Sequence, residues 1–109
     1  MTIRGVVAIL VGASLSLAAS ALAQATKGDA EAGHRFASQS CSNCHLVDAQ
    51  QTKPAVDGVP SFISLAKSPT ETSERIQAFL ANPHGAMPPI SLSRQEIADV
   101  AAYIETLRK

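Results

Sequence analysis

Large aromatic side chains are scarce in this 109-residue chain, which has no tryptophan, one tyrosine and three phenylalanines. The length allows one domain, and a domain of this size buries only a modest core. Small scaffolds often depend on a disulfide, a metal or another non-protein group for their stability. A large, flat, apolar cofactor would supply the buried surface that the aromatic residues do not.

Neither sign of charge predominates, because nine lysines and arginines balance nine aspartates and glutamates. Nucleic-acid-binding domains normally carry a basic face, so nucleic acid is not expected as a partner. Strong electrostatic steering also needs a concentrated charge patch. We therefore expect docking to other proteins to be weak, because the lysines are scattered at four positions: Lys27, Lys53, Lys67 and Lys109.

The longest hydrophobic run lies near the N-terminus. Gly5–Ala19 is interrupted only by two serines, and Ala21-Leu22-Ala23 then fits the small-x-small site of signal peptidases. An uncleaved membrane anchor is the less favoured alternative, because the run is barely long enough to span a bilayer. We predict a signal peptide at residues 1–23 and one exported, periplasmic domain at residues 24–109 that is not inserted in the membrane.

Helical periodicity predicts an all-α domain, and no segment reads convincingly as a strand. We expect helices at about 29–39, 61–67 and from 69 or 72 to 81. A fourth helix should begin at the capping box Ser93-x-x-Glu96 and continue to the C-terminus. Its apolar side chains recur with a helical period at Ile97, Val100, Ala101, Ile104 and Leu107.

The strongest chemical signal is the motif formed by Cys41, Cys44 and His45. The two cysteines are about one helical turn apart, so both sulfurs can face one planar edge and form thioethers with the vinyl groups of a haem. His45 follows directly and can present an imidazole nitrogen to the iron. This Cys-x-x-Cys-His spacing is the haem c attachment signature. It predicts one covalent haem c, with its iron, as the cofactor.

Two other chemistries are less favoured at this motif. A redox-active disulfide would normally belong to a βαβ pattern, which the sequence does not show. A structural zinc site needs four protein ligands, and the chain has no second Cys-x-x-Cys pair and no His-x-x-x-His pair.

Met87 is predicted to bind the iron on the opposite face of the haem. It is the only methionine besides Met1, and it lies in a loop that contains three prolines and a turn-forming glycine, Gly85. A stiff loop loses less conformational entropy when it is ordered. The usual alternative role of methionine is to fill gaps in a core, which does not suit a position in such a loop. Paired histidine and methionine ligands are an established haem pattern.

His84 and His34 are the alternatives to Met87 as the second ligand. His84 could reach the iron if Met87 were absent, although a role in bracing the loop or contacting a haem propionate is more usual. His34 lies on the first predicted helix, too close in sequence to the attachment motif to cross the haem easily. It shares a polar face with Glu31 and Arg35, so we expect an exposed helix residue.

In combination, these features resemble the small class I monohaem cytochromes c over essentially the whole chain from Gly28. The resemblance implies an all-α domain wrapped around one haem, in which Gly33 and Phe36 pack against the last helix near Tyr103. It also implies that the Pro60 carbonyl accepts a hydrogen bond from the His45 ring and so orients this ligand. The residues that carry the resemblance are Gly33, Phe36, Cys41-Ser42-Asn43-Cys44-His45, Pro60, His84-Gly85-Ala86-Met87-Pro88 and Tyr103.

The implied function is electron transfer. A monomeric carrier would shuttle one electron at a time between larger redox proteins, such as a dehydrogenase and an oxidase, by transient docking. No enzymatic activity of its own is expected, because both axial positions are filled and the sequence has no Ser–His pair, carboxylate pair or phosphate loop. Two alternatives stay open: a tightly bound subunit of a dehydrogenase or oxidase, which would need a larger apolar docking face, and a gas-binding cytochrome in which Met87 leaves the iron.

Overall fold

The described part of the chain contains four α-helices joined by loops. The computed structural model describes residues 26–53, 55–83 and 85–109, and within these ranges it contains no strand. The helices are α1 (Ala30–Ser40), α2 (Phe62–Lys67), α3 (Ser73–Ala81) and α4 (Arg94–Thr106). They confirm the predicted all-α class and lie close to the predicted positions. No helix in the described ranges is long and apolar enough to cross a membrane. The predicted signal peptide lies outside the described residues.

Each helix begins at a polar side chain that accepts hydrogen bonds from its first turn. Such caps stabilise the helix because the first N–H groups have no partner within it. In α4 the predicted capping box is complete, since Ser93 accepts from the Glu96 N–H while the Glu96 carboxylate accepts from the Ser93 N–H. The other three caps are Asp29, Ser61 and Thr72.

α1 and α4 cross in close backbone contact. A Cβ atom placed on Gly33 would lie 1.9 Å from the carbonyl oxygen of Asp99, so only glycine fits at this position. Gly28, just before α1, meets the backbone of Ala98 in the same way. Phe36 packs against the hydrophobic cluster to which Tyr103 belongs. The contact of Gly33 with the last helix that the resemblance implied is present, and it is made at Asp99.

A buried carboxylate secures the start of α1 on α4. Asp99 is 8% exposed, and its Oδ1 accepts hydrogen bonds of 2.7 Å from the backbone N–H of Asp29 and from the side chain of Gln95. Gln95 also donates to the carbonyl of Lys27. The burial of Asp99 is tolerated because these donors replace the water that it gives up.

One hydrophobic cluster joins all four helices and the segment that follows α1. Val47 and Val100 are almost completely buried within it, and the rings of Phe62 and Tyr103 lie 6.2 Å apart. The buried members are Ala37, Cys41, Val47, Phe62, Ala66, Ile76, Val100, Ala101, Tyr103 and Ile104.

α4 ends at Thr106, before the C-terminus that the periodicity predicted. Arg108, two residues after this helix, turns its guanidinium back towards the end of α2. It donates to the carbonyl of Ala66 at 2.6 Å, to that of Ser68 and to that of Glu71. Carbonyls at a helix end have no partner within the helix, so Arg108 both caps α2 and attaches it to α4.

Replacing Gly33 with alanine tests the contact between α1 and α4. Alanine normally stabilises a helix by about 1 kcal/mol relative to glycine. Here the added methyl group would push into the Asp99 carbonyl, and overpacking of this kind costs about 1–3 kcal/mol. We therefore expect Gly33→Ala to lower the free energy of unfolding of the haem-loaded protein, measured by denaturant titration with circular dichroism. Ser38→Ala, at an exposed position of α1, should have little effect, and an increase in stability for Gly33→Ala would contradict the close contact.

Candidate functional site

The attachment motif continues directly from the end of α1. Cys41 is the C-cap of this helix, and its carbonyl accepts the N–H groups of both Cys44 and His45, at 3.1 and 2.9 Å. The three residues therefore share one tight turn. Neither cysteine is in a disulfide; Cys41 is buried and Cys44 is exposed. Burial raises the pKa of the Cys41 thiol to about 11.

The imidazole of His45 is held in one orientation by a backbone carbonyl. Its Nδ1 lies 2.7 Å from the carbonyl oxygen of Pro60. A carbonyl oxygen can only accept, so Nδ1 is the donor, and in the neutral imidazole the lone pair is then on Nε2. The ring also lies against Phe62, with centroids 5.5 Å apart. This arrangement presents Nε2 in the form that coordinates a metal.

The backbone after Cys44 belongs to no helix, yet the carbonyl of each residue from Cys44 to Val47 has a partner. Main-chain N–H groups satisfy two of them: that of Val56 binds the Cys44 carbonyl at 3.0 Å, and that of Phe62 binds the Leu46 carbonyl at 2.9 Å. The Tyr103 hydroxyl of α4 donates to the Val47 carbonyl at 2.8 Å.

The remaining carbonyl in this row, that of His45, accepts a hydrogen bond from a side chain. The Nε2 of Gln51 lies 3.1 Å from it, and the Oε1 of Gln51 accepts the N–H of Val47 at 2.9 Å. Gln51 is not among the residues predicted from the sequence. Its position in a polar loop next to another glutamine, Gln50, gives no signal that its side chain folds back onto the attachment motif.

His34 is not the freely exposed helix residue that the polar face of α1 predicted. Its side chain is 42% exposed, and its Nε2 lies 2.6 Å from Oδ2 of Asp48. The ring stacks on Tyr103 at a centroid distance of 4.7 Å. The prediction of an exposed helix residue therefore holds only in part, because Asp48, 14 residues later in the chain, lies beside His34. The hydrogen bond from His34 is the main reason that the pKa of Asp48 is lowered.

Met87 lies in the loop between α3 and α4 and is partly buried. Gly85, two residues earlier, has a φ of +79°, which is the backbone conformation that glycine adopts most easily. The tight turn predicted at Gly85 is therefore present. His84, the predicted substitute for Met87, lies outside the described residues.

The residues of this region fit a covalent haem better than a bare metal ion. Two unpaired thiols lie on one turn, and the next residue offers an oriented imidazole with a free nitrogen. A zinc ion would require a closed set of protein ligands. No group of three or more His, Cys, Asp or Glu side chains in the described part of the chain could hold a metal ion.

Comparison with known proteins agrees with a haem-binding site. The family model described as cytochrome c oxidase, cbb3-type, subunit III matches residues 28–104. The cytochrome c-552 of Bradyrhizobium diazoefficiens is 43% identical to this chain over 106 residues, which cover 97% of this chain and 95% of that protein. No solved structure gives a significant match.

The pair formed by Asp48 and His34 predicts a pH dependence of stability. The pKa of Asp48 is lowered from its ordinary value of 3.8, so its ionised form is favoured in the folded state. This contribution is fully present above the unfolded-state value and is lost as the pH falls through the folded-state pKa. We expect Asp48→Asn to be less stable than the native protein at neutral pH, and this difference to shrink on acidification below the ordinary value of 3.8.

The measurement is the free energy of unfolding of both proteins between neutral and strongly acidic pH. Asp57→Asn makes the same change at an exposed aspartate in the loop before α2 and should follow the native curve. A stability difference for Asp48→Asn that stays constant with pH would show that the ionised carboxylate contributes nothing through His34.

Proposed function

Because the chain belongs to the cytochrome c family, as a small monohaem class I member, we propose that Cys41 and Cys44 form the thioethers to its haem and that His45 and Met87 are the axial ligands. The protein is an electron carrier with covalently attached haem c, not an enzyme.

The hydrogen bond between His45 and Pro60 is the observation that carries the assignment. A ligating histidine usually donates its second ring N–H to a carbonyl or carboxylate, which fixes the tautomer and the ring orientation. The Pro60 carbonyl, 2.7 Å from Nδ1 of His45, is such a partner. His45 lies on the same turn as the two free thiols. Pro60 thus acts on the iron only through His45.

The roles of the side chains follow from their chemistry. When bound, the haem iron supplies a one-electron couple between its ferrous and ferric states. The thioethers at Cys41 and Cys44 prevent loss of the cofactor. His45 and Met87 would hold the iron from its two faces, which would leave no site for a substrate. The neutral thioether of Met87 favours the reduced state.

The protein acts outside the cytoplasm and exchanges electrons with redox partners. We place it in the periplasm as a monomer, exported through residues 1–23, that docks transiently with a dehydrogenase or oxidase. Val56, at 50%, is the one large hydrophobic side chain exposed in the described residues. A permanently bound subunit would need a larger apolar face, so this surface supports a free carrier.

A bound subunit is the second candidate, and one finding favours it. The matching family model is named for a subunit of an oxidase. Size-exclusion chromatography of the native protein from mild extracts, followed by its visible absorbance, separates the two. A free carrier elutes as a small monomer, whereas a subunit elutes with a much larger complex.

Covalent attachment through the two cysteines is tested by acid–acetone extraction. The native protein should keep its colour in the protein precipitate, because two thioethers hold the haem. Cys41→Ser/Cys44→Ser should release any bound haem into the organic phase. Each single variant should retain one thioether, which the pyridine haemochrome spectrum distinguishes from two. Serines at other positions, such as Ala49→Ser in the exposed loop, should change nothing. Retention of colour by the double variant would remove both cysteines from the assignment.

Ligation by Met87 is tested by its replacement with leucine, which keeps the volume and removes the sulfur. The far-red absorption band of the ferric protein, which reports methionine–iron ligation, should disappear. The reduction potential should fall, because a thioether stabilises ferrous iron more than water or imidazole does. Ser91→Ala, at an exposed position of the same loop, is the matched control and should retain both properties.

A native-like far-red band in Met87→Leu would exclude Met87 as the ligand. Comparison of Met87→Leu with Met87→Leu/His84→Ala by electron paramagnetic resonance then asks whether His84 replaces the sulfur. Identical spectra for the two variants would exclude that replacement.

A further inference from the structure

We propose that Gln51 is a positioning residue for His45, whose side-chain amide sets the orientation of this ligand by holding the backbone on both sides of it. The inference rests on the proposed role of His45 as an axial ligand. It adds a residue outside the attachment motif that nothing in the sequence pattern or the comparisons assigns to the site.

The contacts of Gln51 converge on the backbone of the attachment segment. Its Nε2 donates to the carbonyl of His45 at 3.1 Å and to that of Lys53 at 2.9 Å, and it lies 3.4 Å from the carbonyl of Ser42. Its Oε1 accepts the N–H of Val47 at 2.9 Å. One side chain therefore bridges the residues before, at and after the proposed ligand.

The bridge requires an amide. The carbonyls of His45 and Lys53 need a donor, while the N–H of Val47 needs an acceptor, and a primary amide supplies both within one planar group. A carboxylate of the same shape could accept from Val47 but would face the two carbonyls with negative charge. An aliphatic side chain of similar size would leave all of these backbone groups without their partner.

The turn that brings Gln51 into place is set by Asp48. The Asp48 carboxylate accepts the backbone N–H of Gln50 at 2.9 Å, and the Asp48 carbonyl accepts that of Gln51 at 3.4 Å. An aspartate that binds its own backbone two residues on is a common turn device. Asp48 is itself hydrogen-bonded to His34 of α1. The turn that carries Gln51 is therefore attached to the first helix.

Two separate hydrogen bonds then hold His45. The Pro60 carbonyl fixes the ring at Nδ1, and Gln51 fixes the main-chain carbonyl of the same residue. If only the ring contact remained, rotation of the His45 backbone could change the plane of the imidazole while the Nδ1 bond persisted. Gln51 removes that freedom.

The test compares haem-loaded Gln51→Glu and Gln51→Leu with the native protein. The main readout is the proton NMR spectrum of the ferric form, because the spread of the haem methyl shifts depends on the plane of the axial imidazole. Both variants should change this spread, and the His45 Nδ1 proton should exchange with solvent several-fold faster. The matched controls are Gln50→Glu and Gln50→Leu, at the exposed neighbouring glutamine, which should reproduce the native spectrum.

A second control separates orientation from general stability. Arg108→Ala removes the hydrogen bonds between α4 and the end of α2, away from the attachment segment. It should lower the melting temperature and leave the haem methyl shifts unchanged. If Gln51→Leu shifts the methyl resonances no more than Arg108→Ala does, Gln51 is only a structural residue. If Gln51→Glu alone shifts them, the effect is one of charge, and the proposal is overturned.

The failure of this inference can be told apart from failure of the ligand assignment. A native ferric protein without a low-spin, histidine-ligated spectrum would overturn the assignment of His45 itself, and the inference with it. A native histidine-ligated spectrum that is unchanged in both Gln51 variants would overturn the inference and leave the assignment intact.

Discussion

The crossing of α1 and α4 at Gly33 determines where the chemistry of this protein can lie. Cys41 is the C-cap of α1, so the angle at which α1 crosses α4 sets the position of the attachment turn. The same crossing brings Tyr103 of α4 beside His34 of α1 and within reach of the Val47 carbonyl. A helix pair that lacked this glycine contact would move the turn and the tyrosine relative to each other.

The segment after the attachment turn is not helical, so its backbone polar groups need other partners. A chain that leaves a helix and packs into the core must satisfy its polar backbone groups without helical hydrogen bonds. Here the four carbonyls from Cys44 to Val47 accept from two main-chain N–H groups and two side chains. Their donors come from the following loop, from the start of α2 and from α4, so the segment is fixed by distant parts of the chain at once.

Local features of the structure could be predicted from the sequence, because their causes lie within a few residues. The capping box at Ser93 and Glu96, the turn at Gly85 and the Cys-x-x-Cys-His spacing each depend on residue types at short separations. The approximate helix bounds follow from the same kind of signal. The resemblance implied that Gly33 packs against the last helix. The structure gives the physical reason, because Gly33 lies directly against the backbone of Asp99.

The contacts that the sequence did not reveal join residues far apart in the chain. Arg108 binds carbonyls about 40 residues earlier, and Asp99 binds the backbone of Asp29 across a separation of 70. An acidic residue within the apolar pattern of α4 is a usable signal for Asp99, since such a residue needs buried donors. Gln51 and Asp48 offer no comparable signal, because polar residues in a loop are expected to contact water.

This contrast explains why the ligand and the groups that hold it differ in how readily they can be identified. In the proposed assignment, Cys41, Cys44 and His45 lie within five residues of each other because the attachment edge of the haem and its iron are a fixed distance apart. The groups that orient His45 have only to deliver a carbonyl or an amide to a point in space, and many positions in the chain could do so. The backbone carbonyl of Pro60 accepts a hydrogen bond from the His45 ring, and the side-chain amide of Gln51 donates one to the His45 carbonyl. The positioning of the ligand is therefore a property of the folded loop, which residue spacing alone does not encode.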